Sequence, residues 1–203
     1  MILYELTGTE DDDTYRTLEY FNTDRQLHFL ESMVTVALRT QRPFLSQALI
    51  KALNYHAIAC LHVNAGEYRP CEVKVGSYEP PAHYRVQALM DDFVNLVNRY
   101  WENEDPVLLS AFVLWQLNVI HPFINGNGRT ARACCYFALC VKSGGWISGK
   151  TILPELLRQH REEYVSALQY ADNAATQKTS NQEALKPLCE LIGRLLDIQI
   201  TGH

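Results

Sequence analysis

Apolar positions recur at helical spacing along most of the chain. Leu27, Leu30, Val34, Ala37 and Leu38 share one face of a helix expected over residues 24–39. Pro43 stands where a first helical position belongs, and Leu45, Leu49, Ala52, Leu53, Ile58 and Leu61 continue a second helix. Asn64-Ala65-Gly66 reads as its stop. Pro80-Pro81 opens a helix with Val86, Leu89, Met90, Phe93, Leu96 and Val97 on one face. The helix opened by Pro106 carries apolar residues all round, from Val107 to Ile120, which predicts a central element enclosed by its neighbours. Another helix is expected from Arg129 to a stop at Ser143-Gly144-Gly145. Helices over residues 154–170 and 183–199 complete the pattern. One stretch breaks the helical period. In residues 68–78, Val73 and Val75 alternate with polar neighbours, as in a short hairpin. No internal repeat, low-complexity run or linker interrupts the chain. The expectation is a single all-α domain over residues 1–203, with a small β flap at 68–78.

Composition agrees with a packed globular chain. Of 203 residues, 47% are apolar and 20% charged. A chain of this length buries roughly 70% of its unfolded surface and needs neither disulfide nor metal to fold. Eighteen Lys+Arg against 23 Asp+Glu leave a net charge of −5, which argues against a nucleic-acid partner. Cys60, Cys71, Cys134, Cys135, Cys140 and Cys189 form no CxxC pair, so all six are expected to be reduced, mostly buried thiols of a cytoplasmic protein. The first residues carry neither a basic nor an apolar signal region. The apolar run at 108–120 contains Gln116 and Asn118 and falls short of the ~18 residues of a membrane span. The acidic cluster Glu10-Asp11-Asp12-Asp13 reads as a solvated helix cap rather than a metal site.

The chemistry concentrates in residues 121–132, HPFINGNGRTAR. Gly126, Asn127 and Gly128 tolerate unusual backbone angles and immediately precede a helix. Such a turn points successive N–H groups inward as an anion nest, to which the helix start adds its free N–H groups and positive dipole end. Arg129 and Arg132 share a face in the first turns, where cations are disfavoured unless an anion lies between them. Guanidinium forks match phosphate oxygens. His121 stands at the other lip of the loop, and an imidazole with an ordinary pKa near ~6.5 can take a proton from a hydroxyl.

This segment resembles the Fic (Fido) family signature HxFx(D/E)GNGRxxR at every fixed position but one. The flap, the Pro80-Pro81 helix start, the central apolar helix and the helix at 161–172 extend the resemblance over roughly residues 45–196, leaving residues 1–44 as a helical extension. The resemblance implies a Fic-type helical bundle and transfer of AMP from ATP to a Ser, Thr or Tyr hydroxyl of a target protein. It makes His121 the general base and Phe123 the anchor of the loop in the core. Gly126, Asn127 and Gly128 would cradle the phosphates. Arg129 and Arg132 would hold the β- and γ-phosphates that leave as pyrophosphate. Val73, Lys74, Val75 and Gly76 in the flap would register the target by main-chain pairing, and Tyr164 is a candidate for the nucleotide's base side.

Asn125 is the departure. The family places there an acidic ligand for a phosphate-bridging Mg2+, whereas Asn offers an uncharged carbonyl oxygen. Three readings stay open: a slower AMP transferase, a transferase with another phosphate donor, and a nucleotide or phosphate binder without turnover. Family members are often held off by a helix bearing (S/T)xxxE(G/N), whose glutamate pairs with the second motif arginine, here Arg132. Thr151/Glu155 and Thr179/Glu183 have the first spacing, but Leu156 and Ala184 follow them. Inhibition would then be absent, degenerate, or supplied by an antitoxin-like partner chain.

Overall fold

The computed structural model describes residues 2–41, 45–76 and 78–202. In chain order the helices are α1 (Leu3–Thr7), α2 (Asp13–Thr40), α3 (Gln47–Ile58), α4 (Val86–Tyr100), α5 (Pro106–Ile120), α6 (Asn127–Lys142), α7 (Leu153–Gln159), α8 (Arg161–Thr176), α9 (Asn181–Ala184) and α10 (Lys186–Thr201), with a 3-10 turn His83–Arg85 before α4.

The long helix α2 begins well before residue 24, because the apolar rhythm that marks its second half is absent from its first. There the inward positions are polar and bonded. The Asn22 amide donates to the Ala59 carbonyl at 2.9 Å, and the Gln26 amide to the Leu53 carbonyl at 2.8 Å. The Tyr15 hydroxyl meets His62 Nε2 at 2.7 Å. Burial of such groups is tolerated when each is paired. The acidic cluster supplies the cap, with the Asp12 carboxylate accepting from the Thr14 and Tyr15 N–H groups. Pro43 lies outside the described residues; α3 starts at Gln47 under a Ser46 cap.

Helix α5 is enclosed as its composition predicts, with Leu109–Trp115, Leu117 and Ile120 buried. The helix it packs against most extensively, α6, is at least as central. From Ala133 to Val141 every residue is buried, and α6 also meets α2, α3 and α7. Its alanines and cysteines are small, which lets neighbouring backbones approach on all sides. The C-terminal third is more broken than its periodicity suggests. His160 interrupts α7 and α8, its Nδ1 lying 2.9 Å from the Leu156 carbonyl, and Leu185 separates α9 from α10.

The β flap is corrected. Among the described residues no strand forms; residues 68–78 hold one antiparallel bridge, Val75 with Tyr78. Pro70 on one side and Pro80-Pro81 on the other leave only a few residues for a ladder, and a lone two-stranded hairpin is marginal in water. All six cysteines are free. Cys134, Cys135 and Cys140 are buried and Cys189 half-buried, but Cys60 and Cys71 are exposed, contrary to expectation for those two. No helix among the described residues is long and apolar enough to cross a membrane.

Candidate functional site

The loop between α5 and α6 is built by three interlocking devices. The Asn127 side chain accepts from the Phe123 N–H and donates to the Phe123 carbonyl, both at 2.9 Å, closing the loop on itself. Phe123 is fully buried and meets the Tyr68 ring. From outside, Asn54 on α3 donates to the Asn125 carbonyl at 2.9 Å and to Thr130 Oγ1 at 3.2 Å, and accepts from the Gly66 N–H at 3.0 Å. Gly126, at φ 75°, forms the cap position of α6 with no side-chain cap, and the nearest N–H groups of the helix are left for another acceptor.

His121 ends α5 in the left-handed conformation at φ 50°. Burial pushes its imidazole down to about 4; the Asn118 carbonyl, which accepts a hydrogen bond from the ring, pulls upward, and the Arg69 cation adds to the lowering. The ring is therefore neutral at pH 7, the state that can accept a proton. His62, buried beside the loop, is also lowered, chiefly by burial. A histidine whose folded pKa lies below its unfolded value binds fewer protons in the fold. Its stabilising contribution is present above ~6.5 and is lost as the pH falls toward 4. We expect the melting temperature to fall between pH 6.5 and 4.5, with His121 accounting for roughly 2 kcal/mol after allowance for partial exposure. A thermal scan in which His121→Gln shows the same pH slope as the native chain would remove His121 from this account.

The two arginines have different surroundings. Arg129 is committed to protein groups: Nη1 donates to Glu19 on α2 at 2.8 Å and to the Ala57 carbonyl at 3.2 Å, and Nη2 to Asn125 Oδ1 at 3.1 Å. Arg132 has no ion pair or hydrogen bond among the described residues. Its guanidinium folds back toward the start of α6, where Nη1 lies 3.2 Å from the position a Cβ on residue 128 would take. Burial lowers its pKa, with Tyr164 and Glu155 opposing and Arg129 and Arg158 reinforcing. Glu155 is bound instead to Arg158, at 2.7 and 2.6 Å. Tyr164 is buried behind this cation, its hydroxyl accepting from Asn118 at 2.8 Å, rather than open as a stacking surface.

Asn125 is fully occupied. Its Oδ1 accepts from the Gly126 N–H at 2.6 Å and from Arg129, and its Nδ2 donates to Glu10 at 3.0 Å. An oxygen already facing two donors, one of them a guanidinium, does not suit a divalent cation, which needs hard oxygen lone pairs. Among the described residues no cluster of three or more His, Cys, Asp or Glu could hold a metal. The donor set present does not fit a protein-held Mg2+.

The segment that was expected to be the flap is attached to the same corner. The Tyr78 hydroxyl donates to the Val119 carbonyl at 2.7 Å and the Arg69 N–H to the Pro122 carbonyl at 2.9 Å. Lys74, Val75 and Gly76 are exposed and Val73 half-buried, and a shallow depression of about 470 Å³ runs between Glu72, Val73, Lys74 and Glu79. A second cavity, about 250 Å³, lies at the far end of α5 between Leu96, Tyr100, Leu109 and Leu185, away from the motif.

Sequence reasoning missed Glu10, Glu19, Asn54, His62 and Arg69. Glu10, Glu19, Asn54 and Arg69 bond to residues of the loop or of early α6 from 50 to 120 positions away in the chain, His62 stands behind them against Glu10, and none stands in a pattern that announces it. Glu10 and Glu19 look like ordinary solvated carboxylates in the sequence.

The family model described as Fic/DOC family matches residues 44–139, from the start of the α3 region into α6. Protein adenylyltransferase Fic of Drosophila grimshawi is 33% identical over 111 residues, covering 54% of this chain and 22% of that protein. A probable protein adenylyltransferase of Aquifex aeolicus is 28% identical over 169 residues, covering 82% of this chain and 48% of the other. The chain thus spans less than half the length of these curated relatives. Among solved structures, Fic-1 from C. elegans matches with a TM-score of 0.72 at 22% identity, over 98% of this chain and 55% of that one. A Fic domain containing signaling protein from Bacteroides thetaiotaomicron matches with a TM-score of 0.72 at 20% identity, over 98% and 77%. The two solved neighbours share the helical fold, and the stretch that matches the Fic/DOC family, residues 44–139, contains the His121 loop and supports a Fic domain in this chain.

Proposed function

We propose that this chain transfers the AMP moiety of ATP to a hydroxyl side chain of a target protein. The observation that carries the reading is Arg132: a half-buried guanidinium with no counter-ion among the described residues, folded over a helix start whose N–H groups lack a side-chain cap. A cation held out of water without a partner is costly, and a polyphosphate would supply both the charge and the acceptors. The names of the relatives supply the donor and the class of acceptor.

In the proposed reaction the target hydroxyl lies against the His121 imidazole. Its oxygen attacks the α-phosphorus in line as the proton passes to His121. The bond from the α-phosphorus to the bridging oxygen breaks, and pyrophosphate leaves with its charge held by Arg132 and the α6 N–H groups. The new bond is a phosphodiester between target and AMP. Arg129, tied to Glu19 and Asn125, braces the loop that presents these groups. The segment at Val73–Gly76 would carry the target chain. Catalysis is then positioning plus stabilisation of phosphate charge, and no step is routed through a metal.

The commitment of Asn125 and Arg129 to each other and to Glu10 and Glu19 favours a second reading, a nucleotide-binding module without turnover. The test is incubation with α-labelled ATP in Mg2+ buffer, beside calorimetry. Label appearing on protein supports transfer. Tight ATP binding with no label from the native chain or from Asn125→Asp selects the second reading. Arg132→Ala is expected to weaken ATP binding 10- to 100-fold, the worth of one or two charged hydrogen bonds, and AMP binding far less. Equal losses for ATP and AMP would move Arg132 off the terminal phosphates.

A further inference from the structure

Arg69 is 2% exposed, with its side chain wholly enclosed. A guanidinium does not give up its proton in a protein, so this is a permanent charge held out of water. Its partners are mostly carbonyls. Nε donates to the His121 carbonyl at 2.8 Å, Nη1 to the Cys71 carbonyl at 3.2 Å, and Nη2 to the Pro81 carbonyl. The one carboxylate in reach, Glu72 at 3.3 Å, is more than half exposed and is shared with the N–H and Nδ1 of His83. Carbonyls satisfy the donors without neutralising the charge. An apolar side chain would avoid the desolvation of the guanidinium but leave three carbonyls without this donor, so the arginine is there for the main chain it binds.

Through Nε and its own main-chain N–H, Arg69 holds the carbonyls of His121 and Pro122, two successive peptide groups. His121 sits at φ 50°, a conformation a non-glycine residue keeps only where its surroundings enforce it. The other end of the same guanidinium holds Cys71 and Pro81, the two ends of the 71–81 excursion. We propose that Arg69 is the positioning residue of this site: it fixes the corner that aims the His121 imidazole and couples it to the segment on which an extended target peptide would lie. The inference rests on the reading of His121 as the base.

The test compares Arg69→Met and Arg69→Lys with the native chain in three measurements: ATP affinity by calorimetry, single-turnover transfer from labelled ATP, and the imidazole 15N resonances of His121. Lysine keeps the charge but cannot span carbonyls on three sides. Both variants are expected to bind ATP within twofold of the native chain and to transfer at least tenfold more slowly, with displaced His121 resonances. A merely structural arginine would lower stability and leave the rate per folded molecule and the imidazole signals alone. If Arg69→Met does not fold, Arg69→Lys decides by the same criteria. Transfer within twofold of native, with His121 resonances unmoved, overturns the assignment. Should the native chain transfer no label, the proposed activity has failed, and the resonances by themselves decide whether Arg69 sets the imidazole.

Discussion

Replacing His121 by Asn is expected to lower transfer about 1,000-fold while leaving ATP affinity within twofold, because the imidazole is assigned to the proton and not to the nucleotide. Proton transfer by a positioned side chain contributes between about 100- and 10,000-fold. The ring is held neutral at pH 7 by its burial, so the whole population is competent to accept a proton. Asn is the informative substitute. It tolerates the left-handed conformation that His121 adopts at φ 50°, whereas Ala would add backbone strain to the chemical loss. Single-turnover assays with labelled ATP give the rate, and calorimetry gives the affinity. A rate within tenfold of native would show that the target hydroxyl loses its proton elsewhere. A large loss of ATP affinity would place the ring against the nucleotide. The same assignment expects a rate that is flat from pH 8 to about 5 and falls only as the imidazole begins to titrate.

Gly126→Ala is expected to destabilise the fold by about 3 kcal/mol and to lower the melting temperature by roughly 10 °C. Two effects add. The residue sits at φ 75°, where a Cβ costs about 1 kcal/mol. The added methyl would also lie 2.7 Å from Ile58 Cγ2 and 3.1 Å from Asn54 Nδ2. Ile58 is fully buried and cannot swing away, and overpacking a filled core costs about 1–3 kcal/mol. Moving Asn54 would loosen its bonds to the Asn125 carbonyl and Thr130. Thermal denaturation checks the first part, and ATP calorimetry on the folded variant checks whether the loop still binds. A drop of less than 3 °C would show that α3 yields more readily than its packing indicates.

The left-handed Gly126 follows from the local sequence, since a glycine-asparagine-glycine run before a helix has few other uses. The pressure of α3 against it does not. Asn54 and Ile58 belong to another helix, and nothing in their own spacing points to residue 126. Arg129 makes the same point. Its residue type and place in the first turn of α6 suggest a phosphate ligand, but the fold brings Glu19 across from α2 and closes a salt bridge at 2.8 Å. Arg132, three residues on, folds back toward the start of α6 and has no ion pair among the described residues. One helical turn separates a brace from a candidate ligand, and only the packing tells them apart.

Part of the local chemistry was legible. The helix start at Pro106, the all-apolar α5 and the glycine-rich loop of residues 121–128 are set by residues within a few positions of one another, where backbone preference and hydrophobic period act directly; the start of α3 was misplaced, since it falls at Gln47 under a Ser46 cap rather than at Pro43. The early half of α2 was hidden because its inward face is polar and its partners, the Leu53 and Ala59 carbonyls and the His62 ring, lie in and just after α3. The hairpin failed because a strand needs a neighbour as well as an alternating pattern, and among the described residues the flap segment pairs only through the Val75–Tyr78 bridge. Arg69, Glu10, Glu19 and Asn54 acquire their roles only through chain segments brought together by folding. A buried charge or amide is defined by what surrounds it, and the sequence lists the side chain without its surroundings.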